Sequence, residues 1–523
     1  MKSSLGFFTF LASAATTSTV TSVLEETNPR TSLLSSLPKI EWIRCPYGSF
    51  VVSGPGIERH LSCTKLQVPL DYVNTKAGTV EILFMKFAVE HETSETKSIL
   101  FNPGGPGVSG IDSLRGGAEF LREVFGSEYN IIAFDPRGVQ FSGPDIDCFQ
   151  GNSIYMYNFW KDFGAHETEL VNHKSKYAFA SVLKDAVDYD ELCRKTLTHA
   201  ARYIGTPAVA QDMLTFIEAQ AVKKGKSVEE AKKEKLYYYG ASYGTAIGQT
   251  FATLFPDRVG RMAIDGVMDG ENYYNGLFMN DISDADQETG PDRCGLFEDS
   301  PDAIERRVQK LLSKIHDRPI QGYTYAAVKR ALFRTAQHPL NSESSYTRLL
   351  HLLLSLERDE KPSLAQRQES ACFDDVCEAS FLVEISCVDS DGKTRISTYD
   401  AFEDDLSQLK NTSWYAGDLW SLPELACSKW SLYPPARKFG AKTSVPLLIL
   451  SNTLDPICSV RNARKAESLF PGSILLVQDA VGHVALETLS KNCTLPYVRQ
   501  YFDEGILPPV NTTCPPEKRP SFF

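Results

Sequence analysis

The chain has 523 residues, 42% of them hydrophobic and 23% charged, and a formal charge of −12. That length allows a large core plus an inserted lobe, which fits the pattern better than three small domains. The acidic balance, with no long basic patch, offers nucleic acid little electrostatic purchase, so nucleic acid is not an expected partner.

In chain order, residues 1–14 read as a signal peptide: Lys2 precedes the apolar stretch Leu5 to Ala12, and Ala12-Ser13-Ala14 offers a small-residue cleavage site. No later apolar run is long enough to span a bilayer, and no membrane partner is expected. Three strands open the domain at Thr64 to Pro69, Thr79 to Ala88 and Ser98 to Phe101. Val108 to Phe125 has a helical period, and Tyr129 to Phe134 is again a short apolar strand. Thr206 to Ala221 predicts a helix and Lys235 to Tyr239 a strand. The charged run Lys223 to Lys235 between them reads as a solvated helix end without function. Arg258 to Asp265, Pro446 to Leu450 and Ser473 to Val477 supply the remaining strands. This alternation predicts an α/β class chain with a mostly parallel central sheet and helices on both faces. It breaks only between residues 271 and 442, a polar, mainly helical segment that reads as an inserted cap lobe between the core parts 15–270 and 443–523.

Twelve cysteines suit an oxidising compartment, and sequons at Asn411, Asn492 and Asn511 point the same way. A secreted, glycosylated protein is therefore expected. Spacing cannot fix connectivity, but Cys45 with Cys63 and Cys493 with Cys514 close modest loops and are the preferred pairs.

The strongest chemical signal is Gly240-Ala241-Ser242-Tyr243-Gly244, placed between an apolar strand and a helical stretch. Small residues two before and two after the serine permit the tight strand-to-helix turn that exposes its hydroxyl. A serine hydroxyl needs a base to take its proton, and the base needs a carboxylate to orient it. Of nine histidines only His483 follows a late strand. Asp455, directly after the strand at 447–450, is the preferred acid; Asp265 and Asp479 are rivals. Asn102-Pro103-Gly104-Gly105-Pro106-Gly107 can bring amides close to a substrate, so Gly104 or Gly105, together with Tyr243, is expected to form an oxyanion hole. No zinc or nucleotide motif is present, and no metal or cofactor is expected.

These residues resemble the secreted tripeptidyl aminopeptidases and prolyl-aminopeptidase-like hydrolases of the α/β-hydrolase fold. The resemblance rests on Val68-Pro69-Leu70-Asp71-Tyr72, the 102–107 loop, Asp135-Pro136-Arg137-Gly138, residues 240–245, Asp265-Gly266-Val267, Leu454-Asp455-Pro456 and the closing segment from Asn492-Cys493 to Cys514-Pro515. It implies Ser242 as nucleophile, Asp455 as acid and His483 as base, and a cap that recognises a free peptide N-terminus. The cap is where the match is thinnest. Gln140 stands where that family usually has glycine, and Ile457-Cys458-Ser459 replaces its usual run after the acid. Aminopeptidase action is the leading expectation. Hydrolysis of a small ester or amide, in specialised metabolism, is the alternative, and a catalytically dead binding protein is a third reading. Cap acids such as Asp374, Asp375 and Glu384 would decide between the first two, since an exopeptidase must offer negative charge to an amine.

Overall fold

The computed structural model describes residues 37–45, 57–197, 199–276, 282, 300–337, 343–362, 382–390, 396–420, 425–428, 430 and 439–516. The segment expected to be a signal peptide lies outside them. Among the described residues nine strands form one sheet: β1 (Leu61–Pro69), β2 (Thr79–Phe87), β3 (Ser98–Asn102), β4 (Asn130–Phe134), β5 (Leu236–Ala241), β6 (Val259–Asp265), β7 (Leu448–Leu454), β8 (Ile474–Val481) and β9 (Thr513–Cys514). Their order is β1-β2-β4-β3-β5-β6-β7-β8-β9, antiparallel at β1, β2 and β4 and parallel from β4 onward.

The inner strands are short because both faces are covered: all five residues of Asn130–Phe134 are buried, so this strand shows a continuous apolar run instead of alternation. One face packs on α1 (Gly110–Phe125) and the late helix Thr494–Glu504 through Leu114, Val124, Phe125, Val498 and Phe502. The other packs on the helices Thr206–Lys223 and Tyr243–Leu254 through Met213, Phe216, Ile247 and Phe251. The mostly parallel sheet between helical layers is the expected α/β-hydrolase fold.

Between β6 and β7 the chain leaves the sheet for the helices Pro301–Asp317, Tyr325–Gln337, Glu343–Glu357 and Tyr399–Thr412. They enclose an apolar core of their own, built on Ile304, Leu311, Ile315, Leu332, Leu353 and Leu356. A second helical piece, which sequence reasoning missed, precedes β5: α2 (Ser153–His173) and α3 (Lys176–Thr196). Their apolar pattern is faint, since α2 buries only Met156, Phe163, Leu170, Val171 and Asn172 of its 21 residues. The pair forms the base of the lobe. Asn172 Oδ1 accepts from Ala326 N at 3.0 Å, and Phe179 packs on Tyr399 and Phe402.

Four disulfides are present among the described residues: Cys45–Cys63, Cys148–Cys193, Cys387–Cys427 and Cys493–Cys514. The second ties the chain before α2 to the last turn of α3. The third staples two parts of the lobe. Neither of these two was anticipated. Asn411, Asn492 and Asn511 are all exposed. Among the described residues, no helix is long and apolar enough to cross a membrane.

Two of the motifs noted in the sequence form a structural clasp. Arg137, without exposed surface, donates through Nε and Nη2 to both oxygens of Asp212 at 2.7 and 2.8 Å. It also donates to the carbonyls of Pro69, Leu70 and Tyr203. Tyr72 donates its hydroxyl to Asp212 at 2.8 Å and lies beneath the guanidinium. The first antiparallel strand is thereby locked to the loop after β4 and to the helix Thr206–Lys223. Removing one partner leaves the other charge buried and uncompensated, which costs about 3–5 kcal/mol. Asp212→Ala should lose stability on that scale in equilibrium urea unfolding; a loss below about 1 kcal/mol, the scale of an exposed ion pair, would contradict the clasp.

Candidate active site

Parallel pairing in the order β3-β5-β6-β7-β8 brings the loops that follow these strands into one row at a single rim of the sheet. Register fixes the row: Asn102 lies opposite Gly240, Ala241 opposite Asp265, and Asp265 opposite Leu450. Ser242, half-buried, sits directly after β5 with φ 53° and ψ −122°, a strained conformation for a residue with a side chain. The turn is held because the Ser242 amide donates to the Asp265 carbonyl at 2.9 Å. The flanking glycines are required by space. A Cβ on Gly240 would lie 2.4 Å from the Gly244 carbonyl oxygen, and one on Gly244 would lie 2.8 Å from that of Asn102.

The loop after β3 packs straight onto this elbow. A Cβ on Gly104 would meet both the Ala241 oxygen and Ser242 Cβ at 2.7 Å, and the residue has φ +115°. Its amide is engaged, donating to Asn102 Oδ1 at 3.1 Å. Of the expected oxyanion donors, that leaves Gly105, also at positive φ, and Tyr243, whose amide opens a helix and has no intrahelical acceptor. Gly104 therefore supports the loop.

Asp455, fully buried, closes the turn after β7. Its Oδ1 accepts from the amides of Ile457 and Cys458 at 3.0 and 2.8 Å, and its Oδ2 from Val484 N at 3.2 Å. The imidazole Nδ1 of His483 stands 3.0 and 2.9 Å from the two oxygens, leaving Nε2 for a substrate-side task. His483 is buried, and its Cε1 lies close to where a side chain on Gly266 would begin, at 3.2 Å. Gly266 directly follows Asp265, so the imidazole lies at the end of β6, the strand beside the one that carries Ser242. Burial lowers the His483 pKa, but the charge and hydrogen bond of Asp455, with Glu487 and Asp265 further off, outweigh it and hold the value above 6.5.

The two rival acids do other work. Asp479 is exposed on β8 and accepts from Thr453 Oγ1 at 3.3 Å. Asp265 accepts from the amides of Ala485 and Leu486 at 2.7 and 2.8 Å and from the Tyr239 hydroxyl at 2.7 Å. Burial pushes its pKa up to about 6. Asp265 thus shapes the segment just after His483, where Val484 has φ 69°, a conformation that β-branched residues avoid. Asn452 adds a clamp, donating from Nδ2 to the carbonyls of Gly482 and Val484 at 2.8 and 3.2 Å. The sequence hinted at Asp265 and Asn452 only by their positions at strand ends.

Further contacts join the site to the lobe. Thr206 and Tyr273 donate their hydroxyls to Asp389 Oδ2 at 2.6 and 2.9 Å, the Thr206 amide donates to Oδ1 at 2.8 Å, and Tyr243, beside Ser242, shares a 2.6 Å contact with Thr206 Oγ1. Of the cap acids singled out in the sequence, Asp374 and Asp375 lie outside the described residues. Glu384 is buried and accepts from the Tyr189 hydroxyl at 2.5 Å, and burial raises its pKa well above 4.5. Near it are the sulfurs of Cys148 and Cys193, the one group among the described residues compact enough for a metal. Those sulfurs are bonded to each other and offer no thiolate.

A family model described as the alpha/beta hydrolase fold matches residues 97–488. The chain is 25% identical over 509 residues to the serine protease Hip1 of Mycobacterium tuberculosis, with 91% of each chain covered. It is 22% identical to a tripeptidyl aminopeptidase of Streptomyces lividans, over 89% of this chain and 85% of that one. It is also 24% identical to carboxylesterase B of Mycobacterium tuberculosis, over 92% and 90%.

Deleting the Asp265 carboxylate would strand two amides and a tyrosine hydroxyl in a dry interior, at about 1–3 kcal/mol each. Asp265→Ala should therefore lose at least about 3 kcal/mol in urea unfolding. Stability within about 1 kcal/mol of the parent would show that these donors find other partners.

Proposed function

Because the chain belongs to the alpha/beta hydrolase fold family, and so is a hydrolase of that superfamily, we propose that it cleaves small-molecule esters or amides through an acyl-enzyme on Ser242. The observation that carries this reading is the Asp455–His483 pair, at 2.9 Å, reaching the strand end against which the Ser242 elbow is built. His483 Nε2 takes the Ser242 proton as Oγ attacks the substrate carbonyl. Asp455 fixes the tautomer and stabilises the imidazolium. The amides of Gly105 and Tyr243 receive the developing oxyanion, worth about 3 kcal/mol per donor. His483 then protonates the leaving group, and water releases the acid by the reverse route.

Substrate class is argued from the lobe. Its buried carboxylates among the described residues are Glu384, Asp389 and Asp418. Each already has protein partners: Tyr189 for Glu384, Thr206 and Tyr273 for Asp389, Lys329 and Tyr325 for Asp418. Asp389 and Asp418 are thereby committed within the protein, which supports a neutral ester or amide. Glu384 Oε2 and Asp405 Oδ2 are buried without a hydrogen-bond partner, and this reading requires that neither faces the cleft. The second reading is aminopeptidase action, favoured by the names of the serine protease and tripeptidyl aminopeptidase relatives, which align over almost the whole chain. We read the protein as secreted and glycosylated, supported by four disulfides and three exposed sequon asparagines.

Purified protein should hydrolyse p-nitrophenyl butyrate faster than any tripeptide aryl-amide, and blocking the peptide N-terminus should make little difference. Strong preference for the unblocked peptide would transfer the assignment to the aminopeptidase reading. Ser242→Ala should lose about 10⁴-fold or more of the activity; a variant as active as the parent ends the nucleophile assignment.

The pH profile offers an independent check. The base must be neutral to act, and its pKa is held above 6.5, so kcat/KM should rise with pH along a limb centred above that value. In Asp455→Asn the carboxylate no longer stabilises the imidazolium, so the limb should move to lower pH while the rate drops by about 10⁴-fold. A limb that stays in place would exclude Asp455 as the partner of His483.

A further inference from the structure

Tyr243, whose amide is one of the two oxyanion donors, is anchored at both ends. The peptide joining it to Ser242 takes its direction from the ψ of −122° at Ser242, part of a strained conformation that the backbone would relax by turning that peptide. Two sets of contacts oppose the turn. At the carbonyl end, Ser242 O accepts from the amide and the hydroxyl of Thr245 at 2.8 and 2.6 Å. At the amide end the restraint runs through the buried Tyr243 side chain, whose ring lies 5.7 Å from that of Tyr273 and whose hydroxyl meets Thr206 Oγ1 at 2.6 Å.

Thr206 passes that restraint to the lobe. Its one hydroxyl proton goes to the carboxylate oxygen Asp389 Oδ2, so in the contact with Tyr243 the phenol is the donor, and the bonds run from Tyr243 to Thr206 to Asp389. Tyr273 donates to the same oxygen. One carboxylate therefore holds both rings. Asp389 is itself held firmly: it ends the lobe helix at 382–389, two residues after Cys387, which is bonded to Cys427. Its Oδ1 accepts from the Thr206 amide where the helix Thr206–Lys223 begins, at an N-cap, Gly205, that has no side chain to do so. A Cβ on Gly205 would stand 3.0 Å from that oxygen. Thr206, Tyr243, Tyr273 and Asp389 are all buried, so a bond lost among them is not replaced by water.

We propose that Asp389 is a positioning residue for the oxyanion hole: a lobe carboxylate that, through Thr206 Oγ1 and the Tyr243 side chain, keeps the Tyr243 amide aimed at the developing oxyanion. The inference rests on the acyl-enzyme reading above and adds to it that the lobe completes the catalytic centre.

In Asp389→Ala, kcat for p-nitrophenyl butyrate should fall at least about 10-fold with KM unchanged, the mark of an interaction made only in the transition state. The pH limb should stay in place, since Asp455 and His483 keep their contact. Ser242 Oγ adds to the carbonyl carbon of a trifluoromethyl ketone while His483 takes the hydroxyl proton, and affinity for that inhibitor should fall by the same factor as kcat/KM. A smaller folded fraction alone would leave the affinity at the parent value. Thr206→Val, which keeps the shape and removes the hydroxyl, should show the same pattern, and Thr206→Ser should reverse it to within about 2-fold. Parent-level kcat, a loss of kcat with ketone affinity unchanged, or a loss confined to KM overturns the proposal. Should Asp389→Ala fail to fold, the two Thr206 variants decide by the same readings. Activity that survives Ser242→Ala removes the catalytic reading and this inference with it; activity lost in Ser242→Ala but kept in Asp389→Ala removes this inference alone.

Discussion

A carboxylate with no exposed surface, Asp455, fixes the geometry on which the rest of the site depends. Left alone in that position it would be protonated or expelled, because desolvating a charge costs far more than any single contact returns. Three amides and an imidazole converge on it instead. Satisfying that charge dictates the turn after β7, the path of the chain through Val484 and the orientation of the His483 ring. The arrangement is thus a by-product of neutralising one buried anion with donors from two different loops.

Those loops can meet only because the parallel strands lie in a fixed order with a fixed register. A slip of one residue between β6 and β7 would turn Asp265 away from the amides of Ala485 and Leu486, and the segment after His483 would lose its anchor. The positive φ values at Ser242 and Val484 are tolerable for the same reason: each is held by several hydrogen bonds from rigid strand ends. The Arg137 clasp serves the other end of the sheet, keeping its antiparallel edge attached to the parallel part.

Much of this was legible because it depends on local chemistry. Short apolar runs marked β3 to β8 to within a few residues, and the glycines at 240 and 244 marked a turn that only they can make. What escaped depends on long-range pairing. Helices α2 and α3 bury few residues each, so their faces do not stand out by period, and their role as the base of the lobe appears only once Phe179 meets Tyr399 and Phe402. Chain position preferred Asp455 and left Asp265 as a rival; the Ala485 and Leu486 amides on Asp265 and the His483 imidazole on Asp455 separate them. The exposed Gln140, at φ 40°, shows the converse: the turn after Arg137 keeps its left-handed bend although the residue is not glycine.

The amide of His483 donates at 2.8 Å to the carbonyl of Gln337, the last residue of a lobe helix. The backbone of His483 is therefore shared property of two parts of the chain that fold around separate apolar cores. Any excursion that draws the end of that helix outward by more than a bond length frees this amide, so the position of the lobe helix and the alignment of the imidazole are mechanically linked through a single peptide group.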